Sequence, residues 1–232
     1  MIKKYLKKTV EVLEDKLKNA KNLYKSKCIN WKGETLDSKE YYTEVISREL
    51  LKAEKLVLLE KIDQINRVNY NVDTHDGKHN SNTNRAEEIF AMQLKGKKLE
   101  KLGLVIDYQV PLKKKRSDDA GKIDLITSAN KSVYIVELKY IGNKETLLRA
   151  ILEIWTYYKQ LNKVNFLKSF KLLKQNKTND IRKAVLLSVG CNAYNEAKEL
   201  SKRPKLKQLA KALDVDIFLI EKNGEISHPA CA

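Results

Sequence analysis

The first seventy residues carry apolar side chains at helical spacing. Ile2, Leu6, Val10, Leu13, Leu17 and Ala20 recur at three- and four-residue steps, which predicts an amphipathic helix. Asn30-Trp31-Lys32-Gly33-Glu34 breaks the pattern. A second helix is predicted from Asp37 or Ser38, with Val45, Ile46, Leu50, Leu51, Leu56, Val57, Leu58, Leu59, Ile62 and Ile65 among its apolar positions. Two antiparallel helices joined by the glycine-containing turn would bury their stripes against each other or against the rest of the chain. Residues 71–83 are polar and aperiodic, as an exposed linker would be.

Beyond the linker the periodicity alternates. A helix is predicted from near Asn84 towards Lys101, and Leu104 to Val110 reads as a strand. Lys122 to Thr127 is a second strand. Asn130-Lys131 turns the chain into a third, Ser132 to Lys139, rich in β-branched residues. A long helix follows over about 144–161, with Leu148, Ile151, Leu152, Trp155 and Tyr158 on one side. Ala184 to Val189 is an apolar run of buried-strand type. Another helix covers about 194–213, interrupted near Pro204. Val215 to Ile220 is a last strand, and Asn223-Gly224 marks a tight turn. The order predicts an α/β fold with a mixed central sheet over 84–232, preceded by an N-terminal helical hairpin over 1–70 and the linker 71–83.

Composition narrows the function classes. Of 232 residues, 42% are hydrophobic and 33% charged, enough apolar material for a packed core. No run of about 18 apolar residues exists to span a membrane. The charged start lacks the apolar core of an export signal, so a cytoplasmic protein is expected. Cys28, Cys191 and Cys231 are too scattered for a disulfide framework and fit free thiols in a reducing compartment. His75 and His79 stand four apart, but Gly77 and their Asn and Ser neighbours argue against a helix presenting both to a metal. The formal charge is +16. Only seven of the 46 basic residues are Arg, a skew that base composition of a coding sequence can produce, yet a field of this sign favours polyanions whatever its origin. Residues 71–232 carry +11 of it and residues 1–70 carry +5.

The chemistry concentrates in Gly121-Lys122-Ile123-Asp124 and Val133-Tyr134-Ile135-Val136-Glu137-Leu138-Lys139. Alternate residues of a strand share a face, so Glu137 and Lys139 project together with Val133 and Ile135, while Tyr134, Val136 and Leu138 face the other way. Charged residues ending an apolar face are costly to bury unless paired or metal-bound. A hairpin through Asn130-Lys131 brings Asp124 near Glu137. Two carboxylates then converge with one ammonium, a set that suits Mg²⁺, or Mn²⁺ in its place, and a phosphodiester. The plainer alternative is a solvated strand end and a turn-adjacent aspartate.

Asp124, twelve intervening residues, then Glu-x-Lys resembles the PD-(D/E)xK nuclease superfamily. The resemblance covers roughly residues 84–190 and implies an αβββαβ restriction-endonuclease-like core. Ile123 stands where that family often has proline. The resemblance implies a magnesium-dependent nuclease, an endonuclease or exonuclease, acting on DNA. Asp124 and Glu137 would hold the metal, with the backbone carbonyl of Leu138 as a further ligand, and Lys139 would position the attacking water. The family's first core helix often adds a glutamate. Here Glu87 lies beside the apolar arc of Ala86, Ile89, Phe90 and Leu94, and Glu88 nearly opposite. Glu87 is equally placed to complete a capping box with Asn84. Glu153 and Tyr157, four apart on the following helix, match the spacing of a Gln and Tyr in the RecB-like branch, with Glu in place of Gln; otherwise they are plain surface positions. Lys113, Lys114, Lys115 and Arg116 would hang at the mouth of the site and touch phosphates.

Two other readings compete. One is a catalytically silent nucleic-acid-binding protein on a nuclease fold. The other is a helical interaction module, with the α/β part as scaffold. Residues 1–70 are left to clamp DNA, to form a homodimer or to dock a partner protein, and their composition does not choose among these.

Overall fold

The N-terminal apolar stripe folds into shorter pieces than its period suggests. The computed structural model describes residues 5–73, 75, 85–113, 120–129, 132–173 and 180–229. The first helix, α1 (Leu6–Leu17), ends three residues before Ala20, and two 3₁₀ turns, Ala20–Lys25 and Lys27–Asn30, carry the chain on. The single second helix expected from Asp37 is instead two, α2 (Tyr42–Leu50) and α3 (Ala53–Glu60). The chain is extended at Lys52 (φ −63°, ψ 135°), which lets Lys55 fold back onto Glu49 at 2.9 Å. Beyond Lys61 it runs without helix to Asp73, and the Ile65 N–H donates to the Gln160 carbonyl. Of the expected linker only residues 71–73 and 75 are described, and His75 docks on Asp107 at 2.9 Å.

The next helix, α4 (Ala86–Leu94), is cut short of Lys101 because Gly96 takes φ +78° and turns the chain into strands. Among the described residues seven strands lie side by side in chain order: β1 (Lys98–Leu99), β2 (Gly103–Pro111), β3 (Lys122–Ala129), β4 (Ser132–Lys139), β5 (Asp180–Ser188), β6 (Val215–Ile220) and β7 (Ile226–Ser227). β1 to β4 are mutually antiparallel, β4, β5 and β6 are parallel, and β7 turns back antiparallel. Parallel neighbours need crossovers. These are α5 (Leu147–Gln160) with α6 (Lys163–Ser169), then α7 (Asn192–Lys198) with α8 (Pro204–Ala212). The protein is therefore α/β with a mixed sheet; α4, β2, β3, β4, α5 and β5 come in that order, with β1 added after α4 and α6 after α5. No helix of the described residues is long and apolar enough to cross a membrane.

Each face of the sheet buries its own core. Val133 and Ile135 of β4, with Val185 and Leu187 of β5, pack against α5, α7, α8 and the N-terminal layer. Tyr134, Val136 and Leu138, with Leu186 and Phe218, pack against Ala91, Met92 and Leu94 of α4. Each such side chain contributes about 1.5–3 kcal/mol on leaving water.

The N-terminal layer belongs to the first of these cores and grips α5 along its length. The Thr146 N–H and hydroxyl donate to Asn30 Oδ1 (2.7 Å) and the Ile29 carbonyl (2.8 Å) at one end. Trp155 Nε1 donates to the Leu59 carbonyl in the middle, and Gln64 Nε2 to the Leu161 carbonyl at the other end. Cys28 and Cys191 are buried free thiols, while Cys231 and His79 lie outside the described residues.

Candidate active site

A fork in the sheet makes the site. β2 and β3 stay paired to Pro111 opposite Lys122, but β3 and β4 pair only as far as Leu125 opposite Val136. One residue past that last pair on each strand stand Asp124 and Glu137. Asp124 Oδ2 accepts the Leu138 N–H at 2.8 Å, a donor that the departing strand would otherwise have met with a carbonyl. Its Oδ1 accepts from Gln109 Nε2 of β2 at 2.6 Å.

Lys139, two residues on, enters the same fork. Its ammonium lies 2.6 Å from Glu137 Oε1, 2.5 Å from Glu145 Oε2 and 3.1 Å from Glu153 Oε2. At 3% exposure it is no solvated strand end, as a lysine finishing a strand would be expected to be. Glu153 and Tyr157 of α5 are likewise buried, not plain surface positions, because α5 lies flat on this face of the sheet. The Tyr157 hydroxyl donates to Glu153 Oε1 at 2.8 Å, and its ring meets Tyr24 edge-on at 5.7 Å. Gly121 makes room for it: a Cβ there would sit 2.0 Å from the Tyr157 oxygen.

Glu87 closes the opposite wall. Its helix begins at Ala86 with Arg85 as the flanking residue, so Glu87 is one position short of a capping-box glutamate, and Asn84 lies outside the described residues. Its Oε2 instead accepts from the Tyr140 N–H (3.0 Å) and Asn143 Nδ2 (3.2 Å), beyond the end of β4. Glu88 pairs with Arg85 at 3.5 Å. The result is an open cleft of about 310 Å³ holding Glu87, Asp124, Glu137, Glu145 and Glu153, with Lys139 among them and Arg85 and Lys122 on its lining.

Five carboxylates against one buried ammonium leave an acid excess. Burial, and then Glu87, push the Asp124 carboxyl up to about 7 from its ordinary 3.8. Burial, then Asp124 and Glu153, hold Glu137 well above the usual carboxylate range. Burial raises Glu87 too. Burial alone would lower Lys139, but Glu137, Glu153 and Glu145 outweigh it and hold it above its ordinary value. Among the described residues no three His, Cys, Asp or Glu side chains are already disposed as a metal-ligand set. Arg149 pairs with Glu145 at 2.9 Å, and Glu153 is held below its ordinary range. The remaining acid excess is that of Asp124, Glu137 and Glu87, raised first by burial. Carboxylates so placed fit a divalent cation, whose positive charge would relieve them.

Of the basic cluster only Lys113 is described. Its carbonyl accepts from Arg67, and Lys114, Lys115 and Arg116 lie outside the described residues. Sequence reasoning missed Glu145, Asn143 and Gln109. Glu145 and Asn143 sit in the loop before α5, where no period marks them. The chain matches no protein-family model, and searches of curated proteins and of solved structures gave no match either.

Proposed function

We propose that this chain is a metal-dependent nuclease that hydrolyses DNA phosphodiester bonds on a restriction-endonuclease-like core. The observation that carries the reading is the fork, where Asp124 and Glu137 converge with buried Lys139 inside a cleft richer in acid than in base. The run α4, β2, β3, β4, α5, β5 and the Asp, Glu, Lys trio in that order support it as a resemblance to the PD-(D/E)xK superfamily. The charge of +16 supports a polyanionic substrate.

Asp124 and Glu137 would hold Mg²⁺ or Mn²⁺, with Glu87 directly or through water. A bound divalent ion would polarise the phosphodiester and lower the pKa of its water. The chain's own part is electrostatic. Three glutamates around the Lys139 ammonium favour its charged form. The ammonium orients the attacking water and offsets negative charge growing on the phosphate. Glu145 and Glu153 hold the ammonium at the fork, and Tyr157 fixes Glu153.

The test is incubation of the full chain with plasmid and with linear single- and double-stranded DNA, in Mg²⁺, Mn²⁺ or EDTA. Cleavage that needs the metal and is lost in Asp124→Asn is expected. Salt-sensitive DNA binding with no cleavage in either metal would replace this reading with a silent binder. Neither binding nor cleavage would leave the helical layer as the functional part.

A further inference from the structure

Gln109 reaches Asp124 through two irregularities of β2 that lie on consecutive stretches of the strand. A bulge between Val105 and Asp107 shifts the register by one, with Ile106 as the additional residue. Before the bulge Leu104 pairs with Ser128; after it Tyr108 pairs with Leu125 and Val110 with Ile123, which leaves Gln109 facing Asp124. Without the bulge Tyr108 would face Asp124. The second irregularity is Gln109 itself, with φ +47°. The other non-glycine residues at positive φ among those described, Lys39, Lys101, Lys171 and Asp214, all lie outside strands. Among the described residues Gln109 is the one non-glycine that adopts this conformation within a strand, Gly103 at the start of β2 being a glycine. The pleat breaks there, and Tyr108 packs into one core while Val110 packs into the other.

Left-handed backbone at a side chain with a Cβ is sparsely populated, and it persists only where the surroundings impose it. Here it delivers one product, a carboxamide donor 2.6 Å from Asp124 Oδ1. With the Leu138 N–H on Oδ2, both carboxylate oxygens are fixed, and the plane of the carboxylate with them.

We infer that Gln109 is a positioning residue that aims the Asp124 carboxylate at the divalent cation, an inference that rests on the nuclease reading. Two variants separate aim from architecture. Gln109→Met keeps the strained backbone and much of the volume but loses the amide. Gln109→Gly loses the amide and also relieves the strain. Both should lower Mn²⁺ affinity by calorimetry and the Mg²⁺-dependent cleavage rate by about 10–100-fold, while DNA affinity in EDTA stays unchanged. Yet Gln109→Gly should melt about 2–4 °C above Gln109→Met. A merely structural residue would make activity follow the melting temperature, with the glycine variant the more active. That result, or wild-type Mn²⁺ affinity and rate in either variant, overturns the proposal. A wild-type chain that neither binds Mn²⁺ nor cleaves DNA overturns the nuclease reading itself, and the role of Gln109 with it.

Discussion

Two buried lysines stand in similar seclusion and have opposite meanings. Lys55 of the N-terminal layer is 7% exposed and pairs with Glu49 at 2.9 Å and Glu14 at 3.0 Å. Glu14 is largely in water, and Glu49 has a second cation in Lys52 at 2.7 Å. That cluster is balanced and sits at the surface. Lys139 is as buried, but its three glutamate partners are joined by Asp124 and Glu87, and the excess negative charge faces a cleft. A balanced pair ties α1 to the α2–α3 bend. An unbalanced one costs folding energy, a cost that the proposed divalent cation would offset.

The largest effect that separates them is expected from Lys139→Met. Removing the one ammonium leaves several carboxylates buried together, which should cost about 3–5 kcal/mol in urea denaturation. It should also slow cleavage by about 10²–10³-fold, as loss of a preorganised charge does. Cleavage at the wild-type rate by a variant that still melts cooperatively would remove Lys139 from the mechanism.

Asp124→Asn should do the reverse to stability while also ending cleavage. The folded carboxyl titrates at about 7, above its ordinary 3.8. Its contribution to stability is therefore complete below about 3.8, declines as the pH climbs, and is gone above about 7. Asparagine carries no such charge, so the variant should gain on the wild type between pH 4 and pH 8, by on the order of 1–4 kcal/mol. Urea midpoints at the two pH values check this. An equal or smaller gain at pH 8 would mean that Asp124 is not strained by its neighbours.

Mg²⁺ or Mn²⁺ should stabilise the wild type by roughly 2–3 kcal/mol at a hundredfold excess over Kd, and should do nothing for Asp124→Asn. Melting curves with metal and with EDTA show the difference. The smallest effect belongs to Lys55→Met, about 1–2 kcal/mol with cleavage and metal response intact, because both carboxylates it leaves can reach water or Lys52. A loss of activity there would erase the distinction between the two lysines.

What the sequence made legible follows from short-range geometry. The two faces of β4 are a period-two pattern, and Val133, Ile135, Glu137 and Lys139 do share one. Ala129 pairs with Ser132, and that register carries through to Asp124 beside Glu137. Gln109 was hidden because its position depends on a bulge, and on positive φ at a residue other than the Gly or Asn that advertise it. The bend at Lys52 was hidden for a similar reason: no proline or glycine marks it, and the pairing of Lys55 with Glu49 that accompanies it is not a feature of helical period. That Lys139, Glu153 and Tyr157 are buried depends on how flat α5 lies, which the helix period alone does not state.

The chain-order sheet and the late anchoring of the N-terminal layer give synthesis a direction. Each of β2, β3 and β4 can pair with the strand made just before it, a sequence of local closures. The layer has no such neighbour. Its bond from Ile29 to Thr146 spans 117 residues, and Leu23 and Ile29 of the two 3₁₀ turns stay uncovered until α5 has left the ribosome, Leu50 until α8 has. Nascent chains stalled before residue 146 should present that apolar surface to chaperones or to one another, whereas the full-length chain should not. The helix that carries Glu153 and Tyr157 thus begins to cover the layer, and α8, seated on α2, completes the cover.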